Sequence, residues 1–380
     1  MLYSIGRYIK ECGKSVDPVL LICTVLLSLI SIVTIFGAVD NFGQRKLIMQ
    51  VAMTAAGIVA MLVIANIDYH LIVDKLWIFM LAASALLLAV TLVFGSSGEN
   101  METANTSWLR IPGIGIMIQP SEFVKITTVC TFAKHISMVR GRINHPKELL
   151  GLALHAGIIV GLILLSGDLG VALVYMAFML LMLFVAGLSG WYYLGGGAAV
   201  ALAFPLLWNF LADYQKERII VGFEPELDPL GKGFQPLLSK QCIQNGGWLG
   251  IGLMGKGDYE ALPASHTDFI FATICEKLGF IGGAVTIILL AVIILRVFAI
   301  AKSCGGDYGC FICVGIGAII VVQTLENLGM CLAMLPVVGL TLPFLSCGGS
   351  SVLATYVLLG LAHSVKKYRP RARTTGGRFA

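Results

Sequence analysis

Four polar segments interrupt an otherwise apolar chain, and each carries side chains able to do chemistry. The most informative is Ser265-His266-Thr267-Asp268, where a long polar loop meets a long apolar run. An acid placed at such a boundary can serve as a general base. The same residues also suit a proton relay, or a helix cap supplied by Thr267 or Asp268. Glu276 follows Asp268 at a spacing close to two helical turns, so the two carboxylates are expected on one helix face.

The second segment is Trp108-Leu109-Arg110-Ile111-Pro112-Gly113, followed by Gln119-Pro120-Ser121-Glu122-Phe123-Val124-Lys125. Its Gly and Pro residues suggest an ordered re-entrant or interfacial loop. Pro120 and Ser121 then open a helix whose first turn holds Glu122, where a carboxylate complements the helix dipole. Lys125 lies on the same face at i, i+3. A structural ion pair and a substrate contact are both open to it. Third, Ser166-Gly167-Asp168 forms a minimal turn in which Asp168 is placed as an N-cap. Fourth, Leu342-Pro343-Phe344-Leu345-Ser346-Cys347-Gly348-Gly349-Ser350-Ser351 offers hydroxyls and exposed N–H groups. Ser346, Gly348, Gly349 and Ser350 are candidates for an anion or diphosphate cradle; turn chemistry alone is the other reading. Glu326, beside Asn327, is one more membrane acid, and it receives no role.

The elements that must position these residues are membrane spans. Of 380 residues, 58% are hydrophobic and 12% charged, against about 25% charged in a soluble domain. That excludes a soluble enzyme and a disordered chain. The net charge of +5 is too small to imply nucleic acid. Apolar runs long enough to cross a bilayer lie near 18–39, 47–67, 75–94, 123–138, 149–166, 169–186, 191–211 and 269–297. Two shorter ones lie near 311–325 and 352–365. The expected fold is all-α and polytopic, with about ten transmembrane helices in a single domain over 1–380. The first run reads as an uncleaved anchor.

Lys and Arg in short loops set the orientation. Arg7, Lys10 and Lys14 share one side with Lys134, Arg140, Arg142 and Lys147, and with the basic tail 366–380. That places both termini, 1–17 and 366–380, in the cytoplasm. The loops 96–120 and 212–267 then face outward, the larger lying between spans seven and eight. The Gly- and Pro-rich stretch 222–257 is expected to be mobile or ordered by a partner. Cys304, Cys310 and Cys313 have a metal-like spacing but read as packing residues, so no metal site is expected. No Walker or Rossmann glycine pattern is present.

Taken in order, these segments resemble the SEDS family (shape, elongation, division and sporulation), which includes RodA, FtsW and SpoVE. The resemblance rests on Trp108, Gln119-Pro120-Ser121-Glu122 with Lys125, and Asp168-Leu169-Gly170. It continues through Gly246-Gly247, His266-Thr267-Asp268-Phe269-Ile270-Phe271, Asn327 with Gly329-Met330, and Leu342 to Ser351. It implies a peptidoglycan glycosyltransferase in the cytoplasmic (inner) membrane of a bacterium that polymerises lipid II at the outer face. Asp268 would be the general base on the acceptor 4-hydroxyl, and undecaprenyl diphosphate would leave. Lys125 and Arg110 are candidates to offset the leaving anion. Glu122, Trp108, His266, Thr267, Ser346, Gly348, Gly349 and Ser350 complete the expected substrate contacts. The resemblance implies a class B penicillin-binding protein as partner. It implies no certain cofactor, a divalent cation at the diphosphate being the one candidate. The competing reading is a flippase or transporter of lipid-linked cell-wall precursors, and a non-catalytic scaffold is the third.

Overall fold

The computed structural model describes residues 16–96, 106–110, 117–210, 213–304 and 306–369. Arg7, Lys10, Lys14, the tail beyond Arg369, and parts of the expected loop 96–120 lie outside the described residues. Thirteen α-helices make up most of the described chain. In order they are α1 (Pro18–Gly37), α2 (Val39–Phe42), α3 (Gln44–Ile64), α4 (Tyr69–Phe94) and α5 (Pro120–Val139). Then come α6 (Pro146–Leu165), α7 (Leu169–Ala186), α8 (Gly190–Phe210), α9 (Asp213–Phe223) and α10 (Phe234–Asn245). The last three are α11 (Ile270–Ser303), α12 (Asp307–Cys331) and α13 (Gly349–Lys367). A small antiparallel pair, β1 (Leu109–Arg110) and β2 (Met117–Ile118), lies before α5.

Seven of these helices have the length and apolarity to cross a membrane: α1, α3, α4, α6, α7, α11 and α12. The chain is a multi-pass membrane protein. α5, α8 and α13 coincide with expected spans but fall outside that group, α5 because it carries Glu122, Lys125 and Lys134. Helix starts follow the local sequence. Asp17, Asp68 and Asp168 cap α1, α4 and α7 with side-chain oxygens, and Pro18, Pro120 and Pro146 occupy first-turn positions.

α12 is the hub, buried along most of its length and packed against α11, α7 and α5. α13 lies along α3, α1 along α11, and α4 along α5. Opposite the polar segments, Asp17 joins three helices. Its carboxylate accepts from Arg296 Nε at 2.9 Å and Lys366 Nζ at 2.7 Å. Burial pushes its pKa up, but these two cations and the cap bonds more than offset that and hold it below its ordinary value. α8 stands apart. Among the described residues its side-chain hydrogen bonds to other elements are at its first turn, from Tyr192 Oη to Asn144 O and Tyr193 Oη to Leu180 O, and most of its further described side chains are exposed.

Two expectations need correction. The span expected from Phe269 to Val297 is not one continuous helix: Gly279, at φ 68° and ψ −168°, breaks α11. The loop 222–257 is not an unstructured stretch. It contains α10 and folds back onto the break. Ile251 N donates to Glu276 O at 2.9 Å, Gly252 N to Lys277 O at 3.1 Å, and Phe280 N to Gly247 O at 2.8 Å. The carbonyls freed where the helix stops are thereby satisfied within the protein.

Gly279 occupies a region of backbone space that side chains rarely enter. A Cβ there would also meet Trp248 O at 2.4 Å and Gly250 N at 2.5 Å. Gly279→Ala is therefore expected to cost at least about 1–3 kcal/mol from strain alone, read as a lowered unfolding temperature in detergent. An unchanged melt would show that the break relaxes freely.

Candidate functional site

All four polar segments meet at one end of the bundle. Asp268 precedes α11, whose N-cap is Phe269 and lacks a side-chain cap. The capping role open to Thr267 and Asp268 is therefore not taken up, and the Asp268 carboxylate is left for other work. Nor does Asp268 share a site with Glu276. Glu276 accepts from Asp258 N at 2.9 Å and Tyr259 N at 2.8 Å, which makes it an anchor for the loop.

The backbone around Asp268 is held tightly. Asn327 Nδ2 donates to Asp268 O and to Leu340 O, each at 2.7 Å, so one amide clamps two segments. Ser346 Oγ donates to Thr267 O at 2.6 Å and accepts from Leu342 N at 2.7 Å. Cys347 N donates to His266 O at 2.9 Å, and the His266 ring lies against Phe42 at 5.3 Å. A Cβ on Gly339 would sit 3.5 Å from Asp268 Oδ2, so the loop between α12 and α13 reaches the carboxylate. Ala264 and Phe344 hold φ values of 55° and 68°. Non-glycine residues there store strain that only a surrounding network maintains.

On the other side lie α5, α7 and the start of α13. Gln119 Nε2 donates to Asp168 Oδ2 at 3.1 Å, and Gln119 N donates to Ser350 Oγ at 3.3 Å. Asp168 also caps α7 through Val171 N at 3.1 Å, and Ser107, next to Trp108, hydrogen-bonds to it as well. Tyr175 Oη donates to Ser121 O at 2.6 Å. Lys125 and Glu122 form a buried ion pair at 2.9 Å, while Glu122 Oε2 and Ser121 Oγ have no hydrogen-bond partner among the described residues. Of the expected site residues, Glu122, Lys125, His266, Thr267, Asp268, Ser346 and Ser350 are thus brought to this end, with Gly348 and Gly349 at the start of α13. Trp108 bridges to Ser96, and Arg110 stands exposed on β1. No hydrogen bond or ion pair among the described residues joins Arg110 to the cluster.

Electrostatics distinguish the two aspartates. Asp268 keeps partial exposure but is closely surrounded; burial lifts its pKa to about 6, against a hydrogen bond from Thr267 and with help from Asp168. Asp168 is also raised by burial, opposed by its bonds from Val171, Gln119 and Ser107. Asp168 is spent on structural hydrogen bonds, whereas burial leaves the Asp268 carboxyl with a pKa of about 6. Among the described residues no group of His, Cys, Asp and Glu is gathered to hold a metal ion, and no step below is routed through one. Sequence reasoning placed Asn327 in a motif without a role. Its signal was an amide inside an apolar helix, which must find partners.

Comparisons with known proteins place the chain in a family. The family described as cell cycle protein, of the FtsW, RodA and SpoVE type, matches residues 15–371. The chain belongs to this family. It is 34% identical to a probable peptidoglycan glycosyltransferase FtsW of Trichlorobacter lovleyi, over 95% of each chain. It is 33% identical to the peptidoglycan glycosyltransferase MrdB of Escherichia coli, covering 93% of this chain and 94% of that one. A solved structure described as "Structural coordination of polymerization and crosslinking by a peptidoglycan synthase complex" superposes with a TM-score of 0.81 at 30% identity. It covers 93% of this chain and 98% of its own.

The buried pair gives a direct test. Lys125→Met would strand Glu122 as a buried charge, at an expected cost of about 3–5 kcal/mol. Adding Glu122→Gln should recover most of that, since a neutral pair carries no desolvation debt. Thermal unfolding of the single and double variants checks this. A double variant no more stable than the single would show that the ion pair is not the interaction lost.

Proposed function

We propose that this FtsW/RodA/SpoVE family member polymerises lipid II into glycan strands, with Asp268 as general base. Family membership and relatives named as peptidoglycan glycosyltransferases make it an enzyme of that class. The observation that carries the residue-level reading is a single uncapped carboxylate, raised to about 6, where four polar segments converge.

Asp268 takes the proton of the acceptor sugar's 4-hydroxyl as that oxygen attacks the donor's anomeric carbon. The bond from that carbon to the diphosphate oxygen breaks, and undecaprenyl diphosphate departs with its electrons. The leaving group is already an anion of low basicity, so no second carboxyl acid is needed, unlike the usual glycosidase pair. Lys125 is the candidate cation for the diphosphate. To serve, it must exchange its bond to Glu122 for one to substrate, and the unpartnered Glu122 Oε2 shows that pair to be incompletely satisfied. Trp108, Arg110, His266, Thr267, Ser346, Gly348, Gly349 and Ser350 are the proposed contacts around the sugars and the diphosphate. α8, standing clear of the bundle, leaves room for a lipid-linked chain to enter from the side.

In this reading α5, α8 and α13 complete ten spans, both termini are cytoplasmic, and Asp268 faces outward. A class B penicillin-binding protein is the proposed partner. The supporting neighbour is a structure whose description couples polymerisation to crosslinking.

Purified protein, reconstituted with its partner and lipid II, tests the reading. The partner's own polymerase, if present, is disabled. Wild type should make chains, with a rate rising as pH increases through about 6, because the base must be ionised. Asp268→Asn should lower the rate by about 10²–10⁴-fold. Its fold should not suffer. An acid whose folded pKa is raised loses stability as pH rises from 3.8 to about 6, so at neutral pH the Asn variant should melt no lower than wild type. Equal chain formation by both proteins would remove Asp268 from the chemistry. Lipid II translocation without chains would favour the flippase reading.

A further inference from the structure

The loop between α10 and α11 has two unlike faces. Its inner face is fastened to the segment bearing Asp268. Lys277 Nζ donates to Gly37 O at 3.0 Å, Leu253 O at 2.8 Å and Gly255 O at 3.2 Å, and lies 4.2 Å from the Tyr259 ring centroid. Tyr259 meets Phe42, and Phe42 meets His266, two residues from Asp268. Glu276 adds its two bonds to Asp258 N and Tyr259 N. A buried ammonium with three carbonyl acceptors and an aromatic face is fully satisfied, so this side of the loop is rigid.

The outer face is apolar and uncovered. Trp248 is 73% exposed, Leu249 77% and Met254 68%. Three exposed apolar residues in one nine-residue stretch would be a liability in water. Their height on the molecule accounts for them. Trp248 packs edge-on against Phe280 at 5.2 Å, and Phe280 is the first residue after the break in α11. From Phe280 to Ser303 the helix runs roughly 36 Å, just over a hydrocarbon core of about 30 Å. Lys302 marks its other end. Phe280, Ile281, Val285 and Ile288 are exposed along the way, as lipid-facing residues are. Trp248 and Leu249 therefore continue a lipid-facing surface at the level where it meets the headgroups, the position that tryptophan favours.

We propose that residues 246–254 form a membrane-interface anchor. It seats Trp248 and Leu249 in the bilayer beside Phe280 and, through Lys277 and Glu276, sets the height of Asp268 above the hydrocarbon. The occupant of the exposed face is lipid. The anchoring stands on the geometry alone, while its use rests on the polymerase reading above. A substrate tethered by a polyprenyl tail presents its sugars at a fixed distance from the bilayer. A base held at fixed depth meets them without a search.

The test uses the full chain in vesicles of phosphatidylethanolamine and phosphatidylglycerol. Subtracting the emission of Trp248→Phe from that of wild type isolates Trp248. The expected component is blue-shifted, quenched by phospholipid brominated near the carbonyl end of its chains, and insensitive to aqueous iodide. Quenching by iodide alone would place the loop in water and overturn the anchor. Protection from both quenchers would show a protein cover, a partner or a second copy, and would overturn it equally. Neither result depends on catalysis.

Trp248→Ser with Leu249→Ser should then slow polymerisation about tenfold, equivalent to about 1.4 kcal/mol. Trp248→Tyr, which keeps an amphipathic interfacial ring, should retain the rate. If the Ser variant keeps its melt and its rate, the link from anchor to Asp268 fails, although the anchor itself stands. If wild type makes no chains while Trp248 is lipid-quenched, it is the polymerase reading that fails.

Discussion

Backbone that leaves a helix while buried in protein must find its hydrogen-bond partners there. Much of the architecture around Asp268 follows from that constraint. α12 ends at Cys331 and α13 begins at Gly349, and the buried part of the irregular segment between them, Leu342 to Cys347, has to be satisfied within the protein. Asn327 contributes one amide to two carbonyls, and Ser346 bridges Leu342 N and Thr267 O. The same bonds that rescue the irregular backbone fix the two sides of the carboxylate. Satisfying the fold and building the site are one operation here.

The acids at this end have different fates because their partners differ. Asp168 is surrounded by donors, from Val171, Gln119 and Ser107, and its negative charge is used to start a helix. Glu122 has Lys125. At Asp268 the opposing effect of Thr267 is smaller than the burial, and Asp168 adds repulsion, so its pKa rises. Burial that is not offset by donors or cations raises a carboxyl's pKa. The strained Ala264 and Phe344 fit the same picture of a region whose local preferences yield to a shared geometry.

Seven spans, their order and the four polar segments were legible in the sequence because long apolar runs and their interruptions are one-dimensional signals. Local start signals were legible too: the Asp168 cap and the first turn of α5 stand where Pro, Ser and Asp predict. The break at Gly279 was not. Glycine in an apolar run is common in packed membrane helices, and only the loop that presses on it distinguishes a hinge from a packing site. For that reason the spacing of Asp268 and Glu276 misled. Periodicity places two carboxylates on one face, yet Glu276 turns to backbone N–H groups of a loop whose fold no period announces. Asn327 illustrates the other limit: its need for partners was evident, but which backbones would supply them depended on tertiary approach.

Lys277 shows how a charge inside an apolar run can be structural without being paired to an acid. Its ammonium rests on three carbonyl oxygens from two separate stretches of chain, the end of α1 and the loop before α11, with the Tyr259 ring close by. A neutral side chain of the same length would leave those carbonyls unsatisfied, whereas a carboxylate would repel them. The interaction is thus specific to a cation, and it joins the end of the first spanning helix to the loop before α11. Because α1 also meets α11 and α13 through Asp17 at the opposite end, it is tied at both of its ends. Helices tied at both ends resist sliding past one another, and the Asp268 segment, which precedes α11, is held by the same ties.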